Sequence, residues 1–297
     1  MFEGTHTALV TPFRNDRFDE AAFERLIEFQ IENGVNGIVP VGTTGESPTL
    51  DHEEHARVIE LAVKTAKKRC KVIAGTGSNS TREAISLTRS AEEAGADGAL
   101  LVLPYYNRPT QEGLFRHYKA IAGATKLPLV LYSIPGRAGT EIGVETVKRL
   151  ASECPNIVAI KEAGGSVDRV SQLRQVVPEQ FEIISGDDAL TLPFIAAGAV
   201  GVISVASNIV PNEVASLVKS ALSGDYAAAR AQHEKLYPLF RDLFIETNPV
   251  PVKTALALQG RMEPDFRLPL CEMGAANLDK LKATLRACGL IDQGVLG

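Results

Sequence analysis

The chain has 297 residues, 45% of them hydrophobic and 23% charged, and a net charge of −5. That balance supports a large buried core and excludes long disorder; it also speaks against a nucleic-acid partner, which needs a basic face. No run of about 18 apolar residues suggests a membrane span.

Met1-Phe2-Glu3-Gly4 lacks the basic start and long apolar stretch of a secretory leader. The four cysteines, Cys70, Cys154, Cys271 and Cys288, are far apart and form no CxxC, and the five histidines form no HExxH. The expectation is a cytoplasmic protein with reduced thiols, and a zinc site is disfavoured.

Short apolar runs at 7–10, 37–41, 72–74, 99–103, 129–132, 157–161, 181–184 and 200–205 read as strands buried on both faces. Amphipathic helices lie between them. Asp51 stands ahead of Glu53 and Glu54 and a stripe at Val58, Leu61 and Ala62, and Ser80 with Glu83 three residues on fits a capping box. The strands recur roughly every 20–35 residues, the period of a βα unit. Gly34…Gly37, Gly95…Gly98 and Gly198…Gly201 repeat one joint, in which a glycine ends a helix and a second opens a strand. Eight such units predict a closed (β/α)₈ TIM barrel over 1–225. The segments 211–222, 225–244, 250–258 and 275–288 read as helices. One is the barrel's eighth, and 226–297 forms a C-terminal helical extension packed on the barrel. An open doubly wound sheet is the alternative, but its GxGxxG is missing.

In a barrel of this kind chemistry sits where the strands end. Lys161 closes the sixth run. A lysine there is costly unless used or paired, and burial favours the neutral amine that forms imines; the plainer reading is a lysine that reaches water or pairs with Glu162. Tyr132 closes the fifth run, where a phenol can carry protons or simply pack in the core. Gly42-Thr43-Thr44-Gly45-Glu46 follows the second run, with backbone N–H groups and hydroxyls suited to a carboxylate, or serves as a tight turn. Tyr105 and Tyr106 are adjacent in a loop after the fourth run and cannot both face a core, so one faces a pocket or another subunit. Arg137, just past Tyr132, is placed to clamp a second carboxylate, or is an exposed turn arginine. Asp187 and Asp188 read as acidic residues at a helix start. Lys253 is the only rival lysine in apolar context, and its prolines suggest a packed turn opening a helix.

Taken together, Leu9-Val10-Thr11-Pro12-Phe13, Gly42-Thr43-Thr44-Gly45-Glu46-Ser47, Pro104-Tyr105-Tyr106-Asn107, Tyr132…Arg137, Ile160-Lys161-Glu162-Ala163, Ser185-Gly186-Asp187, Asn248…Lys253 and Arg267-Leu268-Pro269 resemble the dihydrodipicolinate synthase family, over nearly the whole chain. That family lies within the pyruvate-dependent class I aldolases. The resemblance implies that Lys161 forms an imine with pyruvate and that Thr43 and Thr44 bind its carboxylate. It implies a proton relay of Tyr132, Thr44 and Tyr106, with Tyr106 supplied by a neighbouring subunit. Arg137 would hold L-aspartate 4-semialdehyde, and Gly186 and the Ile203 carbonyl would line the pocket. The product would be 4-hydroxy-tetrahydrodipicolinate, made without metal or organic cofactor by a homotetramer built as a dimer of dimers.

The same resemblance implies feedback inhibition by L-lysine bound at Ser47, His52, His55, Asn79, Glu83 and Tyr105. Three positions depart from the family: Ser133 stands where asparagine is usual, Ala138 where threonine is frequent, and Pro48 where alanine is common. The first two bear on the support around Tyr132. A sugar-acid lyase of the same superfamily would share Lys161 and Tyr132, but has no use for Arg137. A non-catalytic barrel that binds small acids would need no buried lysine beside a phenol.

Overall fold

The computed structural model describes residues 1–292. Eight parallel strands close in chain order: β1 (Gly4–Ala8), β2 (Gly37–Val39), β3 (Lys71–Gly75), β4 (Gly98–Val102), β5 (Leu129–Ser133), β6 (Ile157–Glu162), β7 (Glu182–Ser185) and β8 (Gly201–Ser204). β1 closes the ring on β8, with Gly4 opposite Gly201 and His6 opposite Ile203. Helices α1 (Glu20–Glu32), α2 (His52–Ala66), α3 (Thr81–Glu93), α4 (Gln111–Ala122), α5 (Val144–Glu153), α6 (Val167–Val176), α7 (Thr191–Ala196) and α8 (Pro211–Leu222) follow the strands in turn. Beyond them come α9 (Tyr226–Asp242), α10 (Val250–Leu258) and α11 (Ala275–Ala287). The barrel with a C-terminal helical part is therefore as expected, although 293–297 of the expected extension lie outside the described residues. Among the described residues no helix is long and apolar enough to cross a membrane.

Side chains alternate across each strand. Val39, Ile73, Leu100, Val130, Ala159, Ile184 and Ile203 fill the barrel, while a second apolar layer packs between strands and helices. The first strand differs from its expected place at 7–10. It starts at Gly4 because Thr5, His6 and Thr7, polar to the eye, are fully buried where the barrel closes. The glycine joints hold: Gly34, Gly95 and Gly198 have positive φ. The strand-opening glycines answer to space, since a Cβ on Gly98 would lie 2.6 Å from Phe2 Cζ. Phe2 plugs that end of the barrel with no exposed surface.

Asp51 caps α2 with a full capping box. Ser80 caps α3 by accepting from the Glu83 N–H, but the Glu83 carboxylate does not return to Ser80. It accepts from Ser78 Oγ and pairs with His52 instead. Asp187 and Asp188 do not open a helix. Asp187 Oδ1 accepts from the Ala189 N–H at 2.8 Å. Asp188 accepts from Ser204 Oγ and from the N–H groups of Val205 and Ala206, tying the end of β7 to the end of β8.

Candidate active site

Between β5 and β6 the register shifts at Leu129/Val130: Leu129 faces Ile157 but Val130 faces Ala159. The extra residue on β6 brings Lys161 opposite Tyr132. Two residues on from inward-facing Ala159, Lys161 shares its face, and its Nζ lies 4.2 Å from the centre of the Tyr132 ring. Lys161 is 6% exposed and Tyr132 5%. Glu162 points the other way, into the strand–helix layer. There it accepts from Arg169 Nε at 2.7 Å and from the Gly164 N–H at 2.8 Å, and burial pushes its carboxyl up. The plainer pairing of Lys161 with Glu162 is thus ruled out. Among the described residues Lys161 has no carboxylate partner.

Gly186 makes room for that lysine. A Cβ there would sit 3.0 Å from Lys161 Cε and 2.7 Å from Ala163 Cβ. Ile203 lies in the inner layer, 1% exposed.

The turn after β2 is folded on itself, with Gly45 N–H to Gly42 O and Glu46 N–H to Thr43 O, both at 3.1 Å. Among the described residues the N–H groups of Thr43 and Thr44 have no partner, leaving two donors on one turn. Thr44 is buried, and its Oγ1 accepts from Asn248 Nδ2 at 3.0 Å. Glu46 takes left-handed backbone (φ 53°), and its carboxylate pairs with Lys253. Both of those side chains are fully buried, and burial pulls the Lys253 ammonium down from its ordinary range. The helix expected to open at 250 is present; what the sequence hid is that Lys253 holds it against the Gly42–Glu46 turn.

Arg137 rides on a one-turn helix, Pro135–Ala138, and its Nη2 donates to the Asn248 carbonyl at 3.0 Å. Of the two expected loop aromatics, Tyr105 turns toward a cavity and Tyr106 does not. Tyr106 is 92% exposed with φ 71°, and the fold does not bring it to Lys161 within the chain.

That cavity, of about 190 Å³, runs from Thr43 and Tyr132 to Ser47, His52, His55, Glu83 and Tyr105. Thr43 of the expected carboxylate site and five of the six expected lysine contacts therefore share one space, while Thr44 and Lys161 are not among its lining residues. Asn79 is not on its wall; its carbonyl accepts from Asn107 Nδ2 at 2.8 Å. His55 Nε2 bonds the Gly75 carbonyl at 3.0 Å, and burial holds the ring below the usual histidine range. Ser78, and then His52, hold the Glu83 carboxyl below the usual carboxylate range. Ala138 packs in the outer core, whereas the buried Ser133 hydroxyl has no partner among the described residues.

The dihydrodipicolinate synthetase family model matches residues 1–288. The 4-hydroxy-tetrahydrodipicolinate synthase of Thermodesulfovibrio yellowstonii is 55% identical over 98% of this chain and 100% of its own length. The solved structure of the enzyme of that name from Methylacidiphilum fumariolicum is 60% identical, covers 97% of this chain and 96% of its own, and superposes with a TM-score of 0.97. A structure from Cyanidioschyzon merolae with lysine bound is 41% identical over 98% and 99% of the two chains, with a TM-score of 0.94. The chain belongs to the dihydrodipicolinate synthetase family.

Proposed function

We propose that this site joins pyruvate to L-aspartate 4-semialdehyde through an imine on Lys161, the first committed step toward diaminopimelate and lysine. The observation that carries the reading is Lys161 itself: buried, without a carboxylate partner among the described residues, and set over a phenol. A buried amine in that place is positioned to act as a nucleophile.

The Lys161 amine adds to the pyruvate ketone and water leaves. The imine then draws electrons from the methyl carbon, whose proton passes to the Tyr132 oxygen as the phenol proton moves on to Thr44 along the relay, leaving an enamine nucleophile. Thr43 and Thr44 hold the pyruvate carboxylate through their free N–H groups, and Gly186 and the Ile203 carbonyl bound the pocket. The enamine carbon attacks the aldehyde, whose oxygen takes a proton back through the relay of Tyr132, Thr44 and Tyr106. The aldehyde substrate's own amine then adds to the imine carbon, the Lys161 amine leaves, and the ring closes as 4-hydroxy-tetrahydrodipicolinate. Arg137 holds the carboxylate of the semialdehyde.

The exposure of Tyr106 supports its reaching into a neighbouring subunit of a homotetramer, a dimer of dimers. In this reading the barrel is 1–225, the extension 226–297, and the enzyme is cytoplasmic. L-Lysine binds at Ser47, His52, His55, Asn79, Glu83 and Tyr105 as a feedback inhibitor; a rate unchanged by added L-lysine would remove that part.

Borohydride reduction in the presence of pyruvate tests the core. The expected result is a mass increase on the wild type that Lys161→Ala abolishes, followed by pyruvate consumption that depends on the semialdehyde. No adduct on the wild type rejects the imine. An adduct without semialdehyde-dependent consumption rejects the second substrate.

A further inference from the structure

We infer that Asn248 is a positioning residue for the reaction, setting the direction of the Thr44 hydroxyl proton. The inference rests on the proposed relay through Thr44. A hydroxyl has one proton to give and two lone pairs that accept. One lone pair of Thr44 Oγ1 is filled by Asn248 Nδ2 at 3.0 Å, in a buried place. The Thr44 proton therefore cannot point at Asn248, and is left to point elsewhere.

The amide is itself held. Asn248 stands just ahead of α10, and its main-chain carbonyl takes the Arg137 guanidinium at 3.0 Å. Five residues on, Lys253 is paired with Glu46 of the same turn that carries Thr44, with both side chains fully buried. Turn and helix are thus tied together by a buried ion pair close to the amide–hydroxyl contact. One residue from the C-terminal quarter of the chain touches Thr44 with its side chain and Arg137 with its backbone. The two contacts separate in an experiment, because a side-chain substitution leaves the carbonyl in place.

The test is a double-mutant cycle of Asn248→Ala and Thr44→Val, read by kcat, by KM for each substrate and by borohydride trapping of pyruvate. Asn248→Ala is expected to lower kcat by roughly tenfold to a hundredfold. Trapping at Lys161 should persist, and KM for the semialdehyde should stay within about twofold. In the Thr44→Val background the same change should cost less than about twofold more, because the group it acts through is gone. Losses that multiply in the double variant overturn the inference, and so does a wild-type kcat in Asn248→Ala. If Asn248→Ala fails to fold, the nearly isosteric Asn248→Asp enters the same cycle. An unchanged kcat in Thr44→Val would instead strike the relay, a separate result from failure of the positioning role.

Discussion

The two ends of the barrel are filled differently. At the end where the strands begin, space is closed. Phe2 fills the mouth, the Phe2 N–H donates to Glu182 at 2.8 Å, and His6 donates to the Phe2 carbonyl at 2.9 Å. At the end where the strands finish, polar groups are buried without full satisfaction. Lys161 lacks a carboxylate partner among the described residues, Asn248 Oδ1 and Ser133 Oγ are unpaired among them, and Val41, Glu46 and Tyr106 take left-handed backbone. The closed end holds such groups too, in Thr5 Oγ1, His6 Nδ1, Lys67 and Lys68; what differs is that at the open end they lie around Lys161 and its neighbours, where their cost falls on the candidate site.

The contrast is open to attack in four ways. The largest effect is expected from Phe2→Ala, about 3–5 kcal/mol less stable by chemical denaturation, with kcat unchanged; a fall in kcat to match would mean that the ends are coupled.

Next is pH. Burial holds His6 at about 4, below the ordinary histidine value of 6.5, and pushes Asp188 up to about 6 from 3.8. His6 at the closed end, helped by His117, also held at about 4, gives stability that is full above pH 6.5 and is lost as pH falls toward 4. Asp188 at the open end gives stability that is full below about 3.8 and is lost as pH rises through 6. Each of the three groups amounts to about 3 kcal/mol at 1.36 kcal/mol per pKa unit, so the two histidines together outweigh the opposing aspartate. Asp188→Asn should steepen the climb in stability from pH 4 to 6.5, and a denaturation profile in that variant no steeper than the wild type's would refute the assignment.

Third is a matched pair of glycines. Gly186→Ala crowds Lys161 and should cut kcat about a hundredfold, worth about 2.7 kcal/mol in the barrier. Gly98→Ala crowds Phe2 and should cost about 1–3 kcal/mol of stability with no kinetic change. The comparison breaks if both variants lose activity alike. The smallest effect is Ser133→Ala, which removes an unpaired buried hydroxyl. It should raise stability by about 1 kcal/mol, and a loss of that size would reveal a partner for Ser133.

Much of this was legible in the chain because a closed parallel barrel leaves its mark in local patterns. Lys161, Tyr132 and Thr44 each follow an apolar run, and strand ends are where such a fold keeps its chemistry. The first strand begins three residues ahead of its apolar run because Thr5, His6 and Thr7 are polar by type yet buried by position. Ser80 and Glu83 have capping-box spacing, but Glu83 has stronger partners in Ser78 and His52. The roles of Asn248 and Lys253 depend on contacts 204 and 207 residues away along the chain, and no local period reports such a contact. Tyr106 was expected to act across subunits, and its exposure is the only trace one chain can hold.

The buried pair of Glu46 and Lys253 also sets an order in time. Synthesis runs from the N-terminus, so the strand and turn carrying Glu46 exist long before Lys253 leaves the ribosome. Until it arrives, the Glu46 carboxylate has no counter-charge, and burying it alone would cost about 3–5 kcal/mol. Lys161 is made earlier still than Lys253, but the turn that would hold its substrate cannot settle. A nascent chain therefore carries the proposed imine-forming lysine before the Gly42–Glu46 turn has its buried counter-charge, which comes only as the last quarter folds back.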